Sequence, residues 1–406
     1  MNIIYLHQYF RTPSESGGTR SYEFARRLVA RGHTVHMITS TSDEASDRLW
    51  RQSMVDGIYV HAIAVPYANQ MPYRQRTASF VRFAYHAAGR AARLPADVVL
   101  ATSTPLTIAL PAVYASRRRK VPMVFEVRDL WPEMPIAIGA LKGRVPIAAA
   151  RWLERFAYRH SAQVIALSPG MRDGVASSGF PADRISVIPN SCDLDLFVAT
   201  PEQALACRQR LQLGDRPLVT YAGSLGVLNG VGYLARLAAA MRNSLPEVAF
   251  VVAGDGKESA HIRALSHDLG VLGRNFYMLG TLPKADMPLL LSASTLAVSL
   301  FIDLPEMWKN SANKFFDALA AGRPVAINYQ GWQADLLRES GAGIVLPPDH
   351  PAAAARLLAE FLSDPDRLNA AGKAARHLAE TRFSRDLLFD EFERVLKAAV
   401  EGHHAP

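Results

Sequence analysis

The chain is poor in cysteine, with only Cys192 and Cys207 among its 406 residues. Two thiols cannot form the several bridges of a disulfide-stabilised scaffold, and they provide no CxxC zinc site. The histidines show no metal-ligand spacing. Asp193-Leu194-Asp195 has the form of a D-x-D metal motif, but it lies in a linker, which favours a capping role. We therefore expect no metal, and a reducing, cytoplasmic compartment.

Long apolar runs are absent as well, because no uninterrupted run approaches the ~18 residues of a membrane span. The start of the chain, from Met1 to His7, lacks the basic segment and cleavage signal of a secretory leader and instead predicts a β-strand. Hydrophobic residues make up 49% of the chain and charged residues 20%. This composition is typical of a globular protein, and the length suits two or three domains.

Acidic residues are fewer than basic ones. The chain has 37 Asp and Glu and 45 Lys and Arg, which gives a net charge of +8 and a pI near 9.5. A basic excess favours an anionic partner, either a nucleotide, a nucleic acid or an acidic membrane surface. No recognised nucleic-acid-binding module is present, so we expect no nucleic acid. The G-x-G-x-x-G and Walker A patterns are missing too, which argues against NAD and ATP.

Short β-branched runs alternate with amphipathic helical stretches, a rhythm typical of parallel sheets with crossover helices. The pattern begins at Asn2–His7 and restarts at Leu218–Ala222, after a polar join. The sequence therefore predicts an α/β protein with two Rossmann-like, doubly wound parallel-sheet domains, over 1–190 and 191–384, and a last helix within 385–406. Ligands of such folds bind at the carboxyl ends of the strands, here in an expected interdomain cleft.

Gly17 and Gly18 end the loop after the first strand, directly before an amphipathic helix. Helix N-terminal amides and the helix dipole favour an anion, so we predict that this loop contacts a phosphate. A plain tight turn is the alternative. His7 ends the first strand, from where it can reach the expected cleft.

Charged and aromatic residues follow a predicted buried strand of the first half, namely Glu126, Arg128, Asp129, Trp131 and Glu133. Charges beside a buried strand are costly unless they are paired or line a cleft. One interpretation is an internal ion pair. The other, which we favour, is a sugar-binding wall, with tryptophan stacking on a sugar ring and carboxylates accepting its hydroxyls.

A polar segment of the second half leads into a helix predicted over 313–321, which closes at Gly322. Lys309 and Lys314 lie near the helix start, where they can neutralise a diphosphate together with the free amides. Asp317 follows one turn later, and its carboxylate can accept two ribose hydroxyls. Solvated charges on an ordinary amphipathic helix are the alternative.

Two glycine-rich turns also follow strands of the second half. One runs from Gly223 to Gly230, and the other contains Gly254 and Gly256. Each turn alone is equally compatible with a plain turn and with a ligand loop. Because both follow strands of one parallel sheet, we predict that they meet a nucleotide at the same edge.

Arginines without any acid occupy the stretch from Arg74 to Arg93, interleaved with Phe80, Phe83 and Tyr85. A second basic run, 117–120, ends the next helix. A basic amphipathic helix is typical of a membrane-surface element, and a solvated helix face explains the same pattern equally well.

At these residues the chain resembles the retaining family-4 glycosyltransferases of GT-B fold, most closely the branch that builds bacterial surface polysaccharides and includes N-acetyl-L-fucosamine transferases. The resemblance covers nearly the whole chain. It rests on Gly17-Gly18, the linker from Pro189 to Asp193 with Phe197, Gly254-Asp255-Gly256, and the segment from Asn313-Lys314 through Asp317 to Val325.

The resemblance implies transfer of a sugar from a UDP-sugar to a saccharide acceptor, with retention and without a cofactor. It implies that Asp317 grips the ribose, that backbone near Leu282 meets the base, and that the helix from Arg385 crosses back onto the first domain. Candidate donor-binding residues are Gly17, Gly18, Ser224, Asn229, Gly254, Gly256, Leu282, Ser311, Asn313 and Asp317. Candidate acceptor-binding residues are His7, Trp131 and Glu133, and candidate catalytic residues are Glu126, Arg128, Asp129, Lys309 and Lys314.

Three positions depart from the family pattern. The first acid of the family's E-x7-E motif falls on Lys309, and the Arg and Lys that clamp the diphosphate fall on the neutral Ser224 and Asn229. We expect Lys309 and Lys314 to supply the missing positive charge, with Glu306 as the alternative source of the missing acid.

The sequence thus predicts a glycosyltransferase of surface polysaccharide (for example lipopolysaccharide) biosynthesis, peripheral on the cytoplasmic face of the inner membrane. The favoured acceptor is a polyprenyl-diphosphate-linked saccharide, and the donor sugar includes N-acetylated amino sugars. A UDP-sugar 2-epimerase of the same architecture is the second hypothesis, with Glu126, Asp129 and Glu133 shuttling protons at C2. A non-catalytic nucleotide-sugar binding protein is the third.

Overall fold

The computed structural model describes residues 1–15, 17–41, 49–66, 71, 73–283 and 285–404. The chain divides into two compact units, Met1–Pro189 with Phe389–Pro406, and Asn190–Leu388. We predicted divisions after residues 190 and 384. The second boundary between the compact units lies after Leu388, inside the helix that runs from Arg385 to His404.

The first unit is built on an eight-stranded sheet with the order β3-β4-β2-β1-β5-β6-β7-β8. Neighbouring strands are parallel except β3 and β4, which are antiparallel. Its elements in chain order are β1 (Asn2–Leu6), α1 (Arg20–Ala30), β2 (Thr34–Thr41), β3 (Trp50–Val55), β4 (Ile58–Ala64), α2 (Tyr73–Ala91), β5 (Val98–Thr102), α3 (Ala109–Arg119), β6 (Met123–Val127), α4 (Glu133–Ala137), α5 (Arg144–Arg159), β7 (Gln163–Ala166), α6 (Pro169–Ser177) and β8 (Ile185–Val187).

The second unit is built on a six-stranded parallel sheet with the order β11-β10-β9-β12-β13-β14. Its elements are α7 (Pro201–Arg210), β9 (Leu218–Ala222), α8 (Gly232–Met241), β10 (Ala249–Ala253), α9 (Ser259–Asp268), β11 (Phe276–Gly280), α10 (Asp286–Ala293), β12 (Leu296–Ser299), α11 (Asn313–Ala320), β13 (Val325–Ile327), α12 (Trp332–Ser340), β14 (Gly343–Val345), α13 (Pro351–Leu362), α14 (Pro365–Thr381) and α15 (Arg385–His404), which ends in the first unit.

Helices cover both faces of the first sheet, which explains why β5 and β6 are buried apolar runs without alternation. On one face, α2, α3, α5 and α6 pack around a core that includes Phe83, Ala112 and Phe125. On the other face Phe24 of α1 contacts Phe392 of α15, with ring centroids 4.5 Å apart. In the described part of the chain, no helix is both long enough and apolar enough to cross a bilayer.

A buried ion pair fixes the carboxyl edge of the first sheet. Arg20, at the start of α1, is only 3% exposed and donates from Nε to Glu126 Oε1 at 2.9 Å. Its other two nitrogens donate to the carbonyls of Ile188 at 2.9 Å and Pro189 at 2.5 Å. The hydroxyl of Thr102 donates to the second Glu126 oxygen at 2.6 Å. One guanidinium therefore joins α1, β6 and the segment after β8.

The predicted alternation of strands and helices is confirmed in both sheets. The sequence analysis did not identify β3, α4, α6, α7 and α12. The strand β3 lies antiparallel at the sheet edge with mostly exposed residues, so it lacks the apolar run by which the other strands were found.

We expect the Arg20→Leu variant to lose about 3–5 kcal/mol of unfolding free energy, because it leaves the Glu126 carboxylate buried without its charge partner. Arg26 on the same helix pairs with Glu23 at 2.7 Å but is 42% exposed, so Arg26→Leu should lose at most about 1 kcal/mol. Urea denaturation measures both variants. Equal losses would show that the buried pair does not stabilise the first unit.

Candidate functional site

Three turns meet at the carboxyl edge of the second sheet. The amide of Gly223, after β9, donates to the Ala253 carbonyl at 2.9 Å, and the amide of Gly254, after β10, donates to the Gly280 carbonyl at 2.8 Å. The Leu225 amide donates to Asp255 at 2.9 Å. The two predicted glycine turns and the end of β11 therefore form one continuous edge, as the parallel order of their strands requires.

The two glycine turns are in such close contact that side chains do not fit between them. A Cβ on Gly254, whose φ is +140°, would collide with the Gly223 carbonyl oxygen. A Cβ on Gly256 would lie 2.5 Å from the Leu225 carbonyl oxygen. Glycine is therefore required here for close backbone packing, and the edge presents backbone groups to any ligand.

Lys314 enters this edge from the first turn of α11. Its Nζ donates to Asn229 Oδ1 at 2.9 Å, and it lies 5.3 Å from the ring centroid of Tyr221 and 5.9 Å from that of Phe301. A Cβ on Gly223 would collide with its side chain. The glycine turn, the two rings and the asparagine thus hold one ammonium group at the ends of β9 and β12.

The environment of Lys314 favours loss of the proton from its ammonium group. Burial lowers the pKa of the ammonium from 10.5 to about 8, and the nearby Asp317 carboxylate offsets this effect only in part. A neutral amide oxygen and two aromatic rings compensate a buried cation less well than a carboxylate does. An anionic ligand at this place would therefore be stabilised by an ammonium that still needs a counter-charge.

The remaining predicted residues around α11 have different surroundings. Ser311 is buried, where its Oγ and carbonyl accept hydrogen bonds from the amide and side chain of Asn190 at 3.0 and 2.6 Å. This arrangement joins two segments of the second unit and supports a structural role. Asn313 and Lys309 are exposed, and Asp317 is half-buried. Burial raises the pKa of the Cys192 thiol, and the nearby Asp317 carboxylate raises it further.

Ser224 and Leu282 lie at the same edge of the second sheet. Ser224 is exposed, and its carbonyl accepts from the buried Tyr221 hydroxyl at 2.8 Å. Leu282 follows β11 and packs against the smaller core around Leu218 and Leu290. Backbone near Leu282 is thus placed on the second sheet beside the glycine turns, where we predicted that the base binds.

In the first unit, the predicted polar residues gather at the carboxyl ends of β1, β5 and β6. Arg128 Nη1 lies 3.5 Å from His7 Nε2, and its amide donates to Ser103 Oγ at 2.9 Å. The Thr104 hydroxyl donates to Asp129 Oδ2 at 3.2 Å. The structure therefore brings His7, Arg128 and Asp129 together, although the sequence analysis treated them as separate candidates.

Burial is the main influence on the protonation states of His7 and Asp129. It lowers the pKa of His7 well below its usual range, and the Arg128 and Arg11 guanidiniums lower it further. It also raises the pKa of Asp129, against the influence of Arg128. Among the described residues, His7 Nδ1 has no hydrogen-bond partner. A neutral imidazole with one unused nitrogen is suited to contact a substrate hydroxyl.

Glu126 does not share this environment, although we predicted it as catalytic. It is fully buried, and both of its oxygens are occupied by Arg20 and Thr102. We considered an internal Arg–Asp pair for this cluster, and the ion pair that Glu126 forms is instead with Arg20, from outside the cluster. We assign Glu126 to the stability of the first unit.

Trp131 and Glu133 follow β6 along the chain. Trp131 is half-buried and packs against the core below α2, α3 and α5. Glu133 begins α4 and lies near Glu154, whose pKa burial and this neighbour raise to about 7. Gly17 and Gly18 are exposed in front of α1, whose first turn receives no side-chain cap.

Several residues of these sites could not be identified from the sequence. The buried Gln8 follows His7, and among the described residues neither of its amide atoms has a partner. Tyr221 and Phe301, which flank Lys314, are aromatic residues in or next to strands and have the sequence signal of ordinary core residues. Arg20 was part of the glycine loop motif, but its partner Glu126 is 106 positions away.

The fold defines a class of protein, the two-domain α/β proteins of GT-B architecture. Among solved structures, Anabaena Alr3699/HepE in complex with UDP-glucose superposes with a TM-score of 0.73 at 20% identity, over 98% of this chain and 100% of that chain. At this identity the likeness shows the fold, and it confirms the predicted fold class.

Two family models match the chain, one in each half. The Glycosyl transferase 4-like domain matches residues 17–191, and the Glycosyl transferases group 1 domain matches residues 206–378. The chain therefore contains a Glycosyl transferase 4-like domain followed by a Glycosyl transferases group 1 domain.

Curated relatives of this chain are distant. Alpha-D-kanosaminyltransferase of Streptomyces kanamyceticus is 25% identical over 63% of this chain and 65% of that protein. The GDP-mannose-dependent alpha-(1-6)-phosphatidylinositol monomannoside mannosyltransferase of Mycolicibacterium smegmatis (strain ATCC 700084 / mc(2)155) is 25% identical over 51% of this chain and 55% of that protein. The chain thus spans between about half and two thirds of the length of these relatives.

We expect Gly254→Ala to lower the unfolding free energy by about 2–4 kcal/mol, because the new methyl group collides with backbone rather than with a flexible side chain. Gly273 also has a positive φ, of +74°, but a Cβ there would meet no atom within 4 Å. Gly273→Ala should therefore lose only about 1 kcal/mol. Denaturation curves with similar losses for both variants would contradict the close packing of the two turns.

Proposed function

We propose that the chain transfers a sugar from a UDP-sugar to a saccharide acceptor with retention of the anomeric configuration, as part of surface polysaccharide synthesis. The observation that supports this best is the Lys314 ammonium group, held at the glycine edge with Asp317 one turn further along α11. A diphosphate needs a cation and free amides, and a ribose needs an acceptor of two hydroxyl hydrogens. The start of α11 offers both.

In this proposal the second unit binds the donor. Lys314 and the first amides of α11 contact the diphosphate, Asp317 accepts from the ribose hydroxyls, and backbone near Leu282 contacts uracil. Lys314 takes the place of the family's clamp residues, whose positions are Ser224 and Asn229, and Lys309 assists it. Gly17 and Gly18 keep their predicted role as phosphate contacts of the first unit.

The transfer step needs no carboxylate nucleophile in this proposal. The bond from the anomeric carbon to the diphosphate oxygen breaks while the bond from the acceptor hydroxyl oxygen forms on the same face. The hydroxyl proton passes to the departing diphosphate oxygen, and Lys314 stabilises the negative charge that develops there. This assignment agrees with the enclosure of Glu126, which leaves that carboxylate unable to reach a sugar.

The first unit binds the acceptor. The neutral His7, whose Nε2 accepts from Arg128, provides one unused Nδ1–H donor, the Arg128–Asp129 pair provides a cation and a carboxylate for hydroxyls, and Trp131 and Glu133 keep their predicted binding role. We propose a lipid-linked saccharide acceptor, of the polyprenyl-diphosphate kind, at the cytoplasmic face of the inner membrane. N-acetylated amino sugars, including N-acetyl-L-fucosamine, are the donor sugars to test first.

We expect Asp317→Ala to weaken UDP binding by about 10- to 100-fold, because it removes two hydrogen bonds to a charged acceptor. Isothermal calorimetry with UDP and GDP measures this effect. Asp366→Ala, which removes an exposed carboxylate of α14 in the same unit, is the matched control and should bind like the wild type. Tighter binding of GDP than of UDP would reject the uridine assignment and leave the nucleotide site in place.

UDP binding near pH 8 should be accompanied by uptake of about half a proton, because the diphosphate raises the pKa of a lysine that is half-deprotonated there. Calorimetry in buffers of different ionisation enthalpy measures the uptake. At pH 7 the lysine is mostly protonated already, so the uptake should nearly disappear. Lys314→Arg should abolish it at both pH values, and Lys309→Arg should leave it unchanged. Uptake that persists in Lys314→Arg would place the titrating group elsewhere.

The transferase hypothesis requires a saccharide acceptor for turnover of a UDP-sugar, and the epimerase hypothesis does not. Incubation of the protein with a panel of UDP-sugars, followed by chromatography, should give transfer only when a saccharide acceptor is present. Conversion of a UDP-sugar to its C2 epimer without acceptor would establish the epimerase. Binding of UDP-sugars without turnover under either condition would support the non-catalytic hypothesis.

A further inference from the structure

One face of the first unit carries more than the entire net charge of the chain. The helices α2, α3 and α5 contain eleven arginines and a single carboxylate, Glu154. Their net charge of +10 exceeds the +8 of the whole chain, so the remaining residues together are slightly negative. Nine of these arginines are exposed, whereas Glu154 is buried and has its pKa raised to about 7.

The three helices present their nine exposed arginines on one side of the first sheet. They share one core, which includes Phe83 of α2, Ala112 of α3 and Ala157 of α5, so their opposite sides face outward together. At the end of α3, Arg117 donates to Nε2 of His160 at 2.5 Å, which joins it to the end of α5. We call the outward sides of α2, α3 and α5 the basic face.

Large apolar side chains are interleaved with the arginines of the basic face. Tyr85 is 78% exposed, Val145 80% and Trp152 60%. Trp152 stacks on Phe156 with a centroid distance of 5.2 Å. A groove of about 700 Å³ runs along the outward side of α5, where Ile147, Trp152 and Phe156 are apolar and four arginines are cationic.

We infer that the basic face docks on an anionic phospholipid surface. Arginines would contact the headgroup phosphates, while Val145 and Trp152 would enter the boundary between headgroups and acyl chains. Charge alone would also suit a nucleic acid, but an aliphatic side chain as exposed as Val145 has no partner there. This inference rests on the proposed function in one respect, which is that the proposed lipid-linked acceptor lies at a membrane.

Co-sedimentation with vesicles tests the inference without nucleotide or sugar. The full chain should bind vesicles of equal parts phosphatidylcholine and phosphatidylglycerol, and it should bind vesicles of phosphatidylcholine alone much more weakly. Replacement of Arg151 and Arg155 by glutamate should weaken binding by at least about 30-fold, because each cation near an anionic surface contributes roughly a five-fold factor. High salt should weaken binding of the wild type as well.

The matched control reverses the same number of charges on the second unit, with Arg263→Glu and Arg356→Glu, both exposed, and should bind nearly as the wild type. Trp152→Ser tests the apolar part without a change of charge and should weaken binding several-fold. Equal losses in the control and the Arg151/Arg155 variant would overturn the inference, as would wild-type binding to duplex DNA but not to anionic vesicles. UDP binding is measured in parallel, so failure of vesicle binding leaves the proposed function testable by itself.

Discussion

One cation organises the carboxyl edge of each sheet, the buried Arg20 in the first and the half-buried Lys314 in the second. The way each cation is compensated separates structure from chemistry. Arg20 donates to the Glu126 carboxylate and to two backbone carbonyls. The protein itself therefore compensates the charge of this guanidinium. Lys314 meets a neutral amide oxygen and two rings, and its pKa is lowered to about 8. An anion would gain more from the second cation, because the protein has compensated it only in part.

This contrast also bears on Ser224 and Asn229, the neutral residues at the positions where the family resemblance predicted cations. The turn after β9 is not without charge, because Lys314 reaches it from α11 and donates to Asn229. Its side chain passes where a Cβ on Gly223 would lie, so the glycine and the lysine depend on each other. A cation can therefore act at the same turn although another segment of the chain carries it.

The sequence was sufficient for those features that depend on local pattern. Buried apolar runs and amphipathic stretches predicted both sheets, and the positions of His7, Arg128 and Asp129 after strands singled them out as candidate site residues. It was insufficient where a partner is distant in the chain. The partner of Glu126 lies 106 positions away, and that of Lys314 lies 85 positions away. No spacing rule connects such pairs, so burial alone could not distinguish a structural carboxylate from a catalytic one.

The charge of the chain supports a division of labour between its two units. A diphosphate carries few charges, and one half-compensated ammonium with the amides of α11 is enough to bind it. The helices α2, α3 and α5 carry ten net positive charges, several times more than a diphosphate requires. The exposed arginines among them lie on the outward sides of the helices, away from the core that supports the strand ends. A high pI in this chain is therefore weak evidence for nucleotide binding. It is much stronger evidence for contact with an extended anionic surface, which is the one kind of partner that can meet so many exposed arginines at once.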